Sequence, residues 1–124
     1  MHPYQHALIS LCAAGALGRC GYRVHIGALV FGGMVPDIDF LVLLPLMGRM
    51  AGHRTITHAP LFQIGLAWLL RRWGFWSVLL GQLLHSFTDS LGPGNPRGVA
   101  WLWPWRWQRV DMFQLLNLVR RTRE

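Results

Sequence analysis

Apolar runs make up most of this chain, and glycine, proline or a histidine-aspartate motif marks each place where they break. Residues 5–18 carry a helical pattern that opens near His6 and can end at Gly18 or Gly21. His6 shares a face there with Ser10 and Ala13, a position where a lone histidine is more often structural than functional. A second apolar helix is predicted over 24–35, with Gly27, Gly32 and Gly33 permitting close packing. Pro36 interrupts it, a turn carries Asp37 and Asp39, and apolar structure resumes over 38–50 around Pro45. The clearest helices are 59–72 and 75–91. Residues 92–109 are irregular. The stretch begins with a Gly-Pro-Gly loop and continues into Trp101, Trp103, Trp105 and Trp107, whose period of two puts the indoles on one side of an extended segment. Asp111, with Gln114 three residues on, forms a capping box for a last helix ending in Arg120, Arg121 and Arg123. The pattern predicts one all-α domain over residues 1–124, a bundle of five or six helices with a Trp-rich irregular or extended segment near the C-terminus.

Composition changes where such a bundle should sit. The chain has 124 residues, is 52% hydrophobic and carries a net charge of +7, and all of its basic side chains are arginine. Arginines separated by apolar runs suit a protein lying on a membrane with anionic lipids. Nucleic acid is the weaker alternative partner. Residues 55–70 and 73–88 fall short of the ~20 apolar residues of a membrane span. Residues 24–48 are long enough but contain Asp37 and Asp39, which are costly in lipid unless they line a site. Buried helices or shallow insertion are therefore expected before full spanning. Ala7 to Leu17 has no basic leader and reads as a helix, not a secretory signal. Cys12 and Cys20 fit no metal or redox spacing and are expected to be small buried residues.

The chemistry lies in three motifs. His53-Arg54-Thr55-Ile56-Thr57-His58 holds two histidines five apart, about 140° apart on a straight helix, so they cannot share an ion there. Gly52 and Pro60 resolve this by placing His53 in a loop and His58 at a helix mouth. Arg54 would project beside them, a planar donor suited to phosphate. In Pro36-Asp37-Ile38-Asp39, one aspartate could cap a helix and the second needs another reason. His85 and Asp89 are four apart on a helix and share a face. A chain with five acidic residues places three of them in these motifs, the pattern of a multinuclear metal site.

These motifs, in this order and followed by Leu102-Trp103-Pro104, resemble the YdjM-like family of membrane-associated proteins read as metal-dependent hydrolases. The resemblance covers nearly the whole chain. It implies a distant similarity to zinc-dependent phospholipase C and the zinc single-strand nucleases. It also implies a ligand set of His6, Asp37, Asp39, His53, His58, His85 and Asp89. Three departures leave that set intact: Ala59 stands in place of serine, Phe40 in place of histidine, and Gln5 in place of threonine before His6.

The expected function is phosphoester hydrolysis, on lipid or another phosphoester, at two or three divalent ions, most simply zinc. Asp37 or Asp39 would serve as base and Arg54 would offset charge at phosphorus. A non-catalytic membrane-associated protein with a structural metal is the main alternative, and a metal-dependent nuclease the second.

Overall fold

The computed structural model describes residues 2–48, 52–94 and 96–122. Helix α1 spans Pro3–Arg19, with Pro3 in its first turn and the His2 amide donating to Gln5 Oε1 at 2.8 Å. Gln5 therefore has a local role: it closes the capping box that starts the helix carrying His6. Helix α2 spans Ile26–Met34, and His25 caps it by accepting from the Ala28 amide at 3.1 Å. A 3-10 turn, Val35–Phe40, follows with Pro36 in its first turn, and then the short helix α3, Leu43–Met47. After the His53–His58 loop come α4, Pro60–Leu69, and α5, Arg71–Leu91, the latter broken locally at Gly74. The last helix, α6, spans Met112–Arg121, and Asp111 caps it by accepting from the amides of Phe113 and Gln114. The all-α bundle is the architecture expected from the pattern.

Helices α2 and α5 pack most extensively, and two glycines let them do so. A β-carbon on Gly32 would strike the Val78 carbonyl, and one on Gly81 would strike the Leu29 carbonyl. Small residues at such a crossing are how helices approach closely in membrane proteins. This close crossing brings His85, on α5, next to the end of α2.

The burial pattern is inverted relative to a soluble domain. The largest fully buried side chains include Arg54, His6, His58, His85, Gln63 and Gln82, while the apolar core is small, centred on Ala28, Ala67, Val78 and Leu79. Leu41, Leu46, Trp76 and Trp105 are each more than 75% exposed. The accessible surface is 8002 Å², against about 6,800 Å² for a compact soluble chain of this mass. Polar groups inside and large apolar groups outside suit an apolar surrounding medium. The run Ile26–Met47 is long and apolar enough to cross a membrane, and Pro36 bends it so that Asp37 and Asp39 turn inward.

Two expectations are corrected. Cys12 and Cys20 are exposed, not buried. On α1 the inward face is His6, Ser10 and Ala14, and Cys12 lies outside it. The tryptophan segment is not one extended face either, because residues 101–105 turn. Trp101 points inward and donates to Ser90 Oγ at 3.0 Å, whereas Trp105 and Trp107 face outward.

Candidate metal centre

The centre is built from side chains on α1, the 3-10 turn, the His53–His58 loop and α5. Four of them, His6, Asp37, His85 and Asp89, are buried and present ligand atoms that all lie within 4.8 Å of one another. Such a group could hold a metal ion. His58 adjoins it, with Nε2 3.1 Å from His85 Nε2 and 3.4 Å from Asp89 Oδ2. Asp39 and His53 lie on the far side of His58: the His53 Nδ1–H is 3.1 Å from Asp39 Oδ2, and His58 Nδ1 is 3.4 Å from the same oxygen. The seven residues implied by the family resemblance thus form one connected cluster.

Its hydrogen bonds show why a cation fits. His85 donates from Nδ1 to the Gly33 carbonyl at 2.6 Å. The Thr88 hydroxyl faces the carbonyls of Leu84 and His85, at 3.0 and 2.9 Å, and so is left to accept from His6 Nδ1 at 3.2 Å. His58 Nδ1 lies 3.1 Å from Thr57 Oγ1 and, as above, close to Asp39. When the rings are neutral, a proton on Nδ1 leaves a lone pair on Nε2 in each. The three Nε2 atoms then converge on two carboxylates: His6 on Asp89 Oδ1 at 3.2 Å, His85 on Asp37 Oδ1 at 3.4 Å, and His85 and His58 on Asp89 Oδ2. Both carboxylate oxygens of Asp37, and His6 Nε2, are buried without a hydrogen-bond partner. Buried lone pairs facing one another are costly, and a divalent cation among them removes the cost. Histidine held at Nδ1 by a carbonyl or hydroxyl is also the usual way a metal-binding ring is oriented.

The electrostatics agree. Burial by itself lowers the affinity of His85 for a proton, but Asp37 and Asp89 outweigh it and raise its pKa to about 9. His58, wholly buried and beside His85, is lowered to about 4. Burial opposes ionisation of Asp89, yet His58, His6 and His85 together hold its carboxyl far below the usual range. In the metal-free protein, His85 takes the proton that a metal would displace.

Asp39 has a different environment from Asp37. Besides His53 it accepts from the Arg54 amide at 3.0 Å and from the Thr57 hydroxyl at 3.4 Å. It therefore ties down the His53–His58 loop. Arg54, expected to project beside the histidines as a donor to phosphate, lies beside the group but is committed to protein acceptors. It is 2% exposed, with φ of 56°; its Nε lies 3.2 Å from Asp89 Oδ2, and Nη1 donates to the carbonyls of Asp89 and Pro96 at 3.3 Å each. A planar, permanent charge has been used to orient an aspartate and to hold the 92–98 loop against α5.

Other contributors were not singled out from the sequence. Gln63 on α4 and Gln82 on α5 each donate to the other's backbone carbonyl, at 3.2 and 3.1 Å. Gln63 also donates to Ser86 Oγ at 2.6 Å, and Ser86 donates to the His58 carbonyl at 3.1 Å. Arg109 donates to the His53 carbonyl at 3.2 Å. The available signal was a glutamine at the centre of each of two apolar helices, where an unpaired amide would be costly.

Comparison with known proteins places this arrangement. Residues 1–120 match the family described as YdjM inner membrane protein. Over 123 residues the chain is 37% identical to the inner membrane protein YbcI of Escherichia coli strain K12, covering 84% of this chain and 68% of that protein. No solved structure matches. A location at the inner membrane accounts for the apolar exterior and the polar interior. By the extent of the family match and the identity to this relative, the chain belongs to the YdjM inner membrane protein family.

Proposed function

We propose that this protein is a membrane-associated, metal-dependent hydrolase of phosphoester bonds. The observation that carries the reading is the buried group of His6, Asp37, His85 and Asp89, with its three-histidine, two-carboxylate convergence once His58 is included. Mixed nitrogen and oxygen donors at this ratio favour zinc. One ion would be held by His6, Asp37, His85 and Asp89, and a second would need Asp39, His53 and His58 to give up the hydrogen bonds that now join them. A divalent cation supplies Lewis acidity there, polarising a phosphoryl oxygen and acidifying water.

The chain's own residues fall into distinct roles. Gly33 and Thr88 fix the tautomers of His85 and His6. Arg54 and the histidines keep Asp89 ionised and oriented. Asp39 holds the His53–His58 loop in place. Asp37 would be both a ligand and, through its second oxygen, a base less occupied by protein donors than Asp39. Arg54 is committed to Asp89 and the loop, so we assign it to positioning and not to contact with substrate.

The rival is a structural metal in a non-catalytic membrane protein, and the near-complete burial of His58, His85 and Asp89 favours it. The readings separate on metal content measured together with turnover on a panel of phosphomonoesters and phosphodiesters. A hydrolase turns over at least one of them and stops when chelated. A structural site holds its metal, hydrolyses none, and unfolds when stripped.

A further inference from the structure

Asp37 faces two ways. Its carboxylate belongs to the buried metal group, and the residue also lines a groove of about 330 Å³ on the outer surface. The groove's other walls are Pro3, Phe31, Met34, Val35, Ile38 and Leu41, and Asp37 is the one polar side chain lining it among the described residues. Its volume is at the low end of small-molecule sites, which run from about 300 to 1,000 Å³. All but Pro3 lie on the Ile26–Met47 run, the stretch long and apolar enough for a membrane interior. Four are large apolar groups left open: Phe31 at 40%, Met34 at 42%, Ile38 at 47% and Leu41 at 79% exposure.

The geometry points to this groove as the seat of an acyl chain of a membrane phospholipid, with the lipid's phosphate placed at Asp37 and the metal group. The inference rests on the hydrolase reading and names its substrate class. A water-soluble phosphoester would gain nothing from an apolar wall that ends at a metal-site carboxylate. For a lipid already in the bilayer, the exposed face of the Ile26–Met47 run is a surface its acyl chain can pack against without leaving an apolar medium. Entry from the side also fits the burial of the centre. His6, His85 and Asp89 are closed off, and Asp37, at 7% exposure, is the most open of the four.

The test uses the full-length, zinc-loaded protein in phosphatidylethanolamine–phosphatidylglycerol vesicles. These are doped with a phosphatidic acid carrying a diazirine in its acyl chain, and, separately, with the matching diacylglycerol. Cross-linked peptides are mapped, and bound zinc is measured on the same samples. The expected result is cross-linking concentrated in residues 31–41, at least fivefold stronger for phosphatidic acid than for diacylglycerol, with the preference removed by a chelator. Met34→Trp, which fills the groove, and Ile38→Ser, which weakens its wall, should each cut the yield severalfold while leaving bound zinc at the parent's level. Using both guards against one variant failing to fold. Cross-links spread evenly over the apolar exterior, or a yield unchanged in both variants, would overturn the groove assignment. A metal-replete parent with diffuse cross-linking defeats the groove alone. A parent that binds no zinc defeats the hydrolase reading and, with it, the placement of the phosphate.

Discussion

His85 donates from Nδ1 to the Gly33 carbonyl at 2.6 Å, and this bond links the packing of the bundle to its chemistry. The carbonyl belongs to α2, next to Gly32 of the glycine pair that lets α2 and α5 cross closely. A change in that crossing would move the acceptor that sets the His85 tautomer.

Gly81→Ala tests the link. Its β-carbon would meet the Leu29 carbonyl and the Gly33 amide, both backbone groups that cannot swing away. We expect a loss of about 1–3 kcal/mol in stability, together with weaker metal binding, measured by thermal unfolding and metal titration in the same detergent. An unchanged metal affinity would separate the crossing from the site.

Thr88→Val removes the acceptor of His6 Nδ1 and leaves every proposed ligand in place. The loss of an orienting partner of this kind costs about 10- to 100-fold in metal affinity. Competition with a chromophoric chelator would measure it.

Arg54→Ala should behave as the loss of a buried ion partner. Asp89 would lose its guanidinium and the 92–98 loop its tether, at a cost of about 3–5 kcal/mol. Limited proteolysis should show new cleavage within that loop. A variant with parental stability and lost turnover would instead restore a substrate-contacting role.

The chelated protein should have a stability optimum near the ordinary histidine pKa of 6.5. The folded-state pKa of His85 is raised to about 9, so its contribution is full below 6.5 and is lost as pH rises through 9. That of His58 is lowered to about 4, so stability falls as pH drops from 6.5 toward 4. Asp89, held low, contributes throughout this window. Denaturation midpoints measured between pH 4 and 9 should trace this dome, and the alkaline limb should disappear in the zinc-loaded protein, where metal replaces the proton.

What the sequence made legible was local. The His85–Asp89 pair follows from four-residue helical spacing, and the His53–His58 loop from Gly52 and Pro60. His6 was not separable from a structural histidine by its own surroundings, and entered through the family resemblance. The partners that orient the ligands were out of reach, because Gly33 lies 52 residues from His85 and Thr88 lies 82 from His6. The cysteines were misplaced by a rule for proteins in water: small apolar residues go inside only when the outside is wet. The tryptophan alternation implied a face, but the turn through residues 101–105 dispersed it. For Arg54, residue type suggested a phosphate, whereas the anion against its guanidinium is Asp89.

The most direct test of the central claim is the metal content of the gently purified parent beside His85→Ala, by elemental analysis. His85 lies against both carboxylates of the group, at 3.4 Å from Asp37 and 3.5 Å from Asp89, so its truncation opens the group at its centre. The account predicts at least one equivalent of zinc-type metal in the parent, two where the Asp39–His53–His58 position is filled, and a loss of the greater part in His85→Ala. Less than one equivalent in the parent, or full metal content in His85→Ala, would contradict it.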